Sequence, residues 1–379
     1  MQINEPKVTL ADDARIGVKE EVRQGFLDWL FRAIVTGDDG ELYSFGGSIL
    51  SMHAEKMDLV TMHIDRGRGG TRQLRNSIYR VGEYPGELMP KRFFKHPQGT
   101  LQITQHPDHI IVTCGREFTL EAYSDNRWHL TLDSGDGEYY AELHHAPKGY
   151  PLWYGREKPS ALTQHSITYG YNWAGPVEGY FVYRGKRVNI MKGFALRERY
   201  VAVDSSAAEL GAWEDWGFVC FDGMHSSMYD MRAGMKDYSI YDVETGKHYT
   251  SLGNLKGGDR DISEMEIVHE DWAFYRPLDG FYPSRYRIRI NTEDGVYSVS
   301  FRVANIDTWG VTYKHPDNPV ATLVFDQAEG TFTYRDGRVK HLTDGYGFLS
   351  IRQWHAYPNI LPAELYSDET KSGEKFDTL

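Results

Sequence analysis

Alternation of apolar and polar residues with a period of two dominates this chain. It runs through short stretches rich in β-branched and aromatic residues: LQITQHPDHIIVTC (101–114), RWHLTL (127–132), YFVYRGKRVNIMKGFAL (180–196), RYRIRI (285–290), VYSVSFRV (296–303), ATLVFDQAEGTFTY (321–334) and GYGFLSI (345–351). Successive side chains of a strand point to opposite faces, so this period predicts half-buried β-strands. The sequence therefore predicts a mostly antiparallel all-β protein.

Turn chemistry separates these stretches. Asp-Gly between two strand patterns indicates a tight hairpin, because both turn residues must tolerate positive φ. The turns are GDDG (37–40), DGE (136–138), RGK (184–186), DG (294–295) and DGR (336–338). Helical signals are few. Residues 13–32 are the best candidate, and residues 206–216 can hold a short helix.

Regular short strands with tight turns are typical of barrels and sandwiches. A convincing short repeat is absent, which argues against a propeller. A coarser similarity links residues 21–50 to residues 210–232, since each places aromatic and acidic residues before a Gly-Asp or Asp-Gly turn. We expect two β domains, 1–165 and 166–365, joined near residues 145–180. The polar residues 366–379 predict a disordered tail.

Composition narrows the functional classes. The chain of 379 residues is 40% hydrophobic and 14% aromatic, and its net charge of −12 argues against nucleic acid and anionic membranes as partners. It contains no apolar stretch long enough to cross a bilayer and no secretory leader pattern, so we expect a cytoplasmic protein. The two cysteines, Cys114 and Cys220, lie in strand patterns and favour buried free thiols, although a single bridge is possible. An oligomer is also possible.

The stretch GAWEDWGFVCFDGMH (211–225) places ionisable groups beside large aromatic rings. A carboxyl group that burial keeps protonated can protonate an alkene, and aromatic faces can stabilise the resulting cation. On a strand, Trp213 and Asp215 share one face, and Glu214 and Trp216 share the other. The alternative interpretation is a solvated turn beside ordinary core tryptophans.

Four stretches carry a resemblance to a known family. They are FLDWLFRAIVTGDDGELYSF (26–45), YGYNWAGPVEGYFVYRGKRVNIMKGFALRER (169–199), DGFYPSRYRIRINTEDGVYSVSFRV (279–303) and DGYGFLSIRQW (344–354). The chain resembles the two-domain lipocalin-like (calycin) proteins related to carotenoid hydratases, together with AttH-type proteins and fungal lipocalin-like Diels–Alderases. Two departures from the family pattern suggest a divergent branch. Residues 198–210 separate the central signature from its acid-Trp-Gly element, and Ser350 stands where the family has an acid.

The resemblance implies two lipocalin-like antiparallel barrels packed side by side, with few short helices. It implies a ligand site in or between the barrels, and acid-initiated chemistry on hydrophobic substrates without a cofactor. On its match to the acid-Trp-Gly element, Asp215 is the favoured acid. Glu198, between two arginines, is either a surface ion-pair residue or a cavity acid, and His225 can share the site after the turn at Asp222.

Several aromatic and polar residues are candidate ligand contacts, and each has an ordinary structural alternative. Tyr169, Tyr171 and Trp173 share one strand face, where they line a ligand cavity or fill a barrel. Tyr282 and Arg285 can recognise an oxygen on the ligand or form the turn that begins a strand. The full set of predicted contacts is Trp29, Tyr169, Tyr171, Trp173, Trp213, Trp216, Tyr282 and Arg285.

Histidines at positions 129, 144, 145 and 165 raise the question of a metal site. His144 and His145 are adjacent, so they point to opposite faces of a strand, and no further ligand has tight spacing. We therefore expect no metal. The sequence also lacks a GxSxG elbow, a P-loop and a supported dinucleotide fingerprint.

The leading hypothesis is a cofactor-independent lyase or isomerase, acting as a hydratase, cyclase or double-bond isomerase. Its substrate would be a hydrophobic terpenoid, polyketide or aromatic metabolite. The first alternative is a carrier, which would return its ligand chemically unchanged. The second alternative is a carbohydrate-active protein, which would need carboxyl groups at a glycosidase spacing. Nothing specific in the sequence favours a third alternative, a structural or partner-binding protein.

Overall fold

The computed structural model describes residues 7–16, 26–53, 56–67, 91–161, 167–204, 214–231, 236–251, 264–275, 280–307 and 320–352. These residues form 22 strands and one short helix, α1 (Leu10–Ala14). The strands belong to two antiparallel sheets that follow one another along the chain.

The first sheet has twelve strands in the order β4-β3-β2-β1-β12-β11-β9-β8-β7-β6-β5, with β10 paired to β11. Their bounds are β1 (Phe26–Gly37), β2 (Leu42–Met52), β3 (Met57–Arg66), β4 (Lys91–Pro97), β5 (Gln102–Gln105), β6 (His109–Cys114), β7 (Phe118–Tyr123), β8 (Trp128–Asp133), β9 (Tyr139–His145), β10 (Leu152–Ala161), β11 (Ile167–Tyr183) and β12 (Lys186–Asp204).

The second sheet has ten strands in the order β16-β15-β14-β13-β22-β21-β19-β18-β17, with β20 paired to β21. Their bounds are β13 (Glu214–Phe221), β14 (Met224–Met231), β15 (Lys236–Asp242), β16 (His248–Thr250), β17 (Met265–Tyr275), β18 (Gly280–Asn291), β19 (Gly295–Arg302), β20 (Asn305–Asp307), β21 (Val320–Tyr334) and β22 (Val339–Arg352).

Alternation along the strands builds three apolar cores. On β1, Trp29 and Phe31 point into the core of the first sheet, whereas Leu30 and Ile34 point into a core shared with the second sheet. A further core lies within the second sheet and includes Val219. Each sheet curls around its own core as an antiparallel half-barrel, and the shared core packs the two side by side. The predicted fold class is therefore confirmed.

The predicted turns join paired strands. Between β11 and β12, Arg184 and Gly185 have φ of 50° and 73°. Positive φ at both central residues is the geometry of a tight hairpin turn, which matches the twist of the flanking strands. The turns near residues 37–40, 136–138, 294–295 and 336–338 likewise join β1 to β2, β8 to β9, β18 to β19 and β21 to β22.

The prediction of a helix over residues 13–32 is wrong for most of the residues that the structure describes in this range. α1 ends at Ala14, and residues 26–32 belong to β1, which is buried on both faces. A continuously apolar run does not distinguish a buried strand from a buried helix by period. Thr9 begins α1 with a capping box, since its backbone N–H donates to Asp12 Oδ2 at 2.8 Å. In the second predicted helix, residues 214–216 are strand, and residues 206–213 lie outside the described residues.

β11 and β12, which the sequence assigned to the second domain, pair with β9 and β1 of the first sheet. The division between the sheets falls between Asp204 and Glu214, and the domain boundaries stay a prediction. The predicted tail lies outside the described residues.

Both cysteines are buried free thiols, as expected. α1, the one helix within the described ranges, is too short to cross a lipid bilayer. The cytoplasmic location stays a prediction.

Candidate active site

The aromatic contacts predicted on β1 and β11 lie in the core of the first sheet. Trp29, Tyr169, Tyr171 and Trp173 are all buried there. Trp29 Nε1 donates to the backbone carbonyl of Asp13 at 3.1 Å, and the Tyr171 hydroxyl donates to Asp13 Oδ1 at 2.7 Å. Trp29 and Tyr171 therefore contact α1, and all four rings belong to the core of the first sheet. Their contact with a ligand stays a prediction.

Buried arginines also bind Asp13. Arg197 Nη2 donates to Asp13 Oδ1 at 3.0 Å, and Arg199 Nε donates to the Asp13 backbone carbonyl at 3.2 Å. Trp128 Nε1 donates to Asp13 Oδ2 at 3.0 Å. A buried cation is costly unless it is paired and hydrogen-bonded. Asp13 thus offsets the free-energy cost of burying the two arginines inside the first barrel. α1, which carries Asp13, fills part of the interior of this barrel.

A different polar group lies between the two sheets. Asp28 on β1 and Glu198 on β12 point to the face that packs on the second sheet, and both are buried. Asp28 lies opposite Tyr200, and Leu30 lies opposite Glu198. The two residues are thus diagonal neighbours on adjacent strands. The backbones of such neighbours lie roughly 7 Å apart, and their side chains lie somewhat closer.

Tyr154 and Asn172 hold Glu198 in place. The Tyr154 hydroxyl donates to Glu198 Oε1 at 2.6 Å, and Asn172 Nδ2 donates to the Tyr154 hydroxyl at 2.9 Å. This chain of hydrogen bonds fixes the position of Glu198 Oε1. Burial, and then the charge of Glu198, raise the pKa of Tyr154 well above its usual value, so the hydroxyl keeps its proton.

Asp28 has the opposite electrostatic environment. Burial raises the pKa of the Asp28 carboxyl well above its usual value, and nearby Glu198 raises this pKa further, against the lowering effect of Arg199 and Arg197. Two close carboxyl groups cannot both ionise cheaply in a buried site. Burial and Glu198 thus favour the protonated form of Asp28, beside a second carboxyl group that accepts a hydrogen bond from Tyr154, an arrangement suited to acid–base chemistry.

Aromatic rings surround this pair. Tyr154 packs edge-on against Tyr200 and Tyr229, with ring centroids 5.7 and 5.4 Å apart. Trp216, on the second sheet, lies opposite Tyr229 in the strand register and packs edge-on against Phe348 at 5.4 Å. The predicted ligand contact Trp216 therefore does reach the same inter-sheet region as Glu198.

Several buried polar atoms on this face have no hydrogen-bond partner among the described residues. They include Asp28 Oδ1, Asn172 Oδ1 and Ser350 Oγ. Buried polar atoms are nearly always hydrogen-bonded, to protein, water or ligand. The inter-sheet region therefore has unused donor and acceptor capacity on both sheets, which a polar group on a bound molecule can satisfy.

Asp215 lies on the other face of β13, in the interior of the second sheet. It is 1% exposed, and its carboxylate lies 2.9 Å from His269 Nε2. His269 packs edge-on against Tyr286 at 5.1 Å. The alternation predicted for Asp215 and Trp216 is thus present, and it separates Asp215 from Glu198. The structure does not bring these two predicted acids together.

His225 faces the inter-sheet core, where its ring packs against Phe194 at 5.5 Å. Phe194 precedes Glu198 by four residues, roughly 13 Å along a strand. Arg285 on β18 is 42% exposed and lies 3.5 Å from Glu270. The side chains of Trp213 and Tyr282 lie outside the described part of the structure.

Sequence reasoning missed Asp28, Tyr154 and Asn172 as parts of a site. The available signal for Asp28 was its place before Trp29, where the family pattern has an acid. Asn172 sits among alternating aromatics, on the strand face away from Tyr171. Tyr154 lies in the segment that the sequence treated as a domain junction, so it carried no signal.

A groove of about 680 Å³ opens on the outer face of the second sheet. Charged side chains line much of it, including Glu266, Arg287, Arg289 and Glu329. Such a lining does not suit a hydrophobic molecule. The inter-sheet region is the better candidate site.

No protein-family model and no curated protein matches the sequence. Solved structures do match. An AttH-type protein from Nitrosomonas europaea superimposes with a TM-score of 0.55 at 12% identity, over 92% of this chain and 97% of the other. The chain shares its fold with AttH-type proteins. The family resemblance inferred from sequence is thereby confirmed at the level of fold.

Two further structures share this fold. Kievitone hydratase from Nectria haematococca has a TM-score of 0.51 at 12% identity, over 92% of this chain and 96% of the other. A protein named CghA has a TM-score of 0.50 at 11% identity, over 87% of this chain and 88% of the other. The first of these is a hydratase, so an enzyme is known on this two-sheet framework.

Proposed function

We propose that the protein is a cofactor-independent lyase or isomerase that uses acid–base chemistry on a hydrophobic metabolite bound between the sheets. The observation that carries this proposal is the buried pair of Asp28 and Glu198, in which burial raises the pKa of Asp28 while Tyr154 donates a hydrogen bond to Glu198. Two neighbouring carboxyl groups in different environments form an acid and a base.

In this proposal Asp28 donates its proton to a carbon of the substrate double bond. Glu198 then takes a proton, either from a water that attacks the cation or from the neighbouring carbon. Water addition gives a hydratase, and proton loss gives an isomerase. Trp216, Tyr200 and Tyr229 would stabilise the developing cation with their π faces.

Asp215 lies on the opposite face of β13 from Trp216, with its carboxylate 2.9 Å from His269 Nε2, so it is not part of the proposed pair. The existence of a hydratase with this fold supports the reaction class. The substrate class, a terpenoid, polyketide or aromatic metabolite, rests on the sequence resemblance and on the apolar lining of the region between the sheets.

The test is incubation of the protein with a panel of terpenoids, polyenes and phenolic metabolites in ¹⁸O-labelled water, followed by mass spectrometry. Incorporation of label by native but not heat-denatured protein identifies a hydratase, and a product of unchanged mass with a new retention time identifies an isomerase or cyclase. D28N is expected to lower kcat about 100-fold or more, the usual contribution of a positioned acid.

D125N is the matched control, because Asp125 lies in an exposed surface ion pair with Arg127. D28N turnover equal to that of D125N would contradict the acid role of Asp28. Loss of turnover in D215N with full turnover in D28N would move the acid to the second barrel. Compounds that bind native protein and return unchanged would favour the carrier alternative.

A further inference from the structure

A row of histidines and carboxylates crosses the outer face of the first sheet. His129 on β8 lies directly opposite His144 on β9. Their rings stack with centroids 4.5 Å apart and planes 4° apart. Glu121 on β7 lies opposite His129, and Glu178 on β11 lies opposite His144. Four adjacent strands therefore each contribute one potential metal ligand to the same row.

Glu142 adds a carboxylate beside the two rings. It precedes His144 by two residues and so points to the same face of β9. One ligand atom from each of His129, Glu142 and His144 lies within 4.8 Å of the others. Ligand atoms around a tetrahedral zinc ion are roughly 3.3 Å apart, given bonds of about 2.0–2.1 Å. Binding requires the two stacked rings to turn out of parallel, because an imidazole nitrogen binds a metal in the plane of its ring, and both side chains are at least partly exposed.

Neighbouring residues contact two of these ligands. Tyr180 donates to Glu142 Oε2 at 3.0 Å, which leaves Oε1 turned toward His129 Nε2 at 3.9 Å. On the other side of the ring, Glu121 Oε1 lies 3.7 Å from His129 Nδ1. His129 Nε2 itself has no hydrogen-bond partner among the described residues. A metal-binding histidine usually donates its second ring N–H to a carboxylate, and a rotation of Glu121 would bring it into that position.

We propose that His129 Nε2, Glu142 and His144 bind a divalent transition-metal ion of the zinc type. Two imidazoles and one carboxylate suit such an ion, and water or Glu178 completes its coordination. Glu121 positions His129 without touching the ion. The sequence raised His129 and His144 as possible ligands but predicted no metal, because strand pairing rather than sequence spacing brings His129 to His144. The site is independent of the proposed enzymatic function, since it faces solvent on the outside of the first barrel.

The experiment is calorimetric titration of the chelator-treated protein with Zn²⁺. The wild type is expected to bind one ion per chain with an affinity in the micromolar range. H129Q, E142Q and H144Q are each expected to weaken binding at least tenfold. E121Q, which removes only a positioning carboxylate, is expected to weaken binding about tenfold.

H109Q is the matched control. His109 stacks with His106 at 4.3 Å on the same sheet and is similarly exposed, but it belongs to no three-ligand group among the described residues. It is expected to bind Zn²⁺ as the wild type does. Circular dichroism of the metal-free variants establishes that they fold. Absence of a one-to-one isotherm in the wild type, or equal affinity of H129Q, H144Q and wild type, would overturn the proposal.

Discussion

At the scale of single residues, environment rather than residue type separates the roles of the acids. Asp28 lies beside Glu198 in the inter-sheet core, whereas Asp215 lies beside His269 within the second sheet. Asp13 is a third buried acid, and arginine, tyrosine and tryptophan donors surround it. The three buried aspartates therefore have different neighbours: a carboxyl group, a histidine, and a set of arginine, tyrosine and tryptophan donors.

Titration of Asp28 tests its proposed role directly. We expect the carboxyl signal of Asp28, assigned by its absence in D28N, to titrate well above the ordinary value of 3.8. E198Q removes the neighbouring negative charge, so the pKa of Asp28 should fall in that variant while staying raised by burial. Carbon-13 NMR of labelled aspartate measures both. A pKa near 3.8 in the wild type would rule out Asp28 as an acid at neutral pH.

The same shift predicts an effect on stability. The folded state keeps a proton on Asp28 that the unfolded state releases above about 3.8, so this residue's contribution to stability falls as pH rises from there to its raised pKa. D28N should therefore gain in the free energy of unfolding relative to wild type as pH increases over this range. Urea unfolding at several pH values measures the difference, and a parallel pH dependence for the two proteins would contradict it.

At the scale of elements, β11 and β12 form the centre of the proposed site. β11 carries Asn172 and β12 carries Glu198, and the two residues lie opposite each other. Gly170 lets the strands approach closely at this point, since a Cβ there would lie 1.8 Å from the carbonyl oxygen of Arg199, at a φ of 127°. The hairpin of β11 and β12 therefore supplies Asn172 and Glu198, and its strands need Gly170 in order to approach closely.

G170A is expected to lower the free energy of unfolding by about 2 kcal/mol or more, because it combines a strained φ with a backbone clash. G137A provides the control, since Gly137 also has a positive φ, of 79°, but no atom lies within 4 Å of its Cβ position. G137A measures the cost of a positive φ alone, so it should lower the free energy of unfolding by less than G170A does. Chemical denaturation of both variants makes the comparison, and equal losses would argue against the close approach.

At the scale of the whole molecule, burial makes the fold sensitive to acid. Burial lowers the pKa of His145 and of His225 to about 4 and the pKa of His248 to about 3, from an ordinary value of 6.5. The unfolded state then binds more protons than the folded state between pH 4 and 6.5. The contribution of these residues to the free energy of unfolding is fully present above pH 6.5 and is lost as pH falls from 6.5 to 4.

H225Q should reduce this acid sensitivity. Replacing one such histidine removes up to one proton from the difference in bound protons between the unfolded and folded states. The slope of the free energy of unfolding against pH then changes by up to about 1.4 kcal/mol per pH unit. The slope of unfolding free energy against pH between 4 and 6.5 should be shallower in H225Q than in wild type. H341Q, at an exposed position on β22, is the control. An unchanged slope in H225Q would mean that His225 is not buried as a neutral ring.

The sequence by itself determined the fold class and much of its local detail. A period of two specifies strands because a pleated strand has two faces, and the RGK turn at 184–186 specifies a hairpin because glycine tolerates positive φ. The pattern also placed Asp215 and Trp216 on opposite faces. It failed for residues 26–32, since β1 is buried on both sides and its period therefore disappears.

Only the tertiary structure decided which residues meet. Glu198 was a candidate from sequence, but its partners Asp28, Tyr154 and Asn172 come from three other strands and join it through long-range pairing. His129 and His144 meet for the same reason. Sequence patterning fixes the face to which a side chain points, because that depends on local backbone geometry. The register between strands, and with it the composition of a site, depends on contacts between residues far apart in the chain.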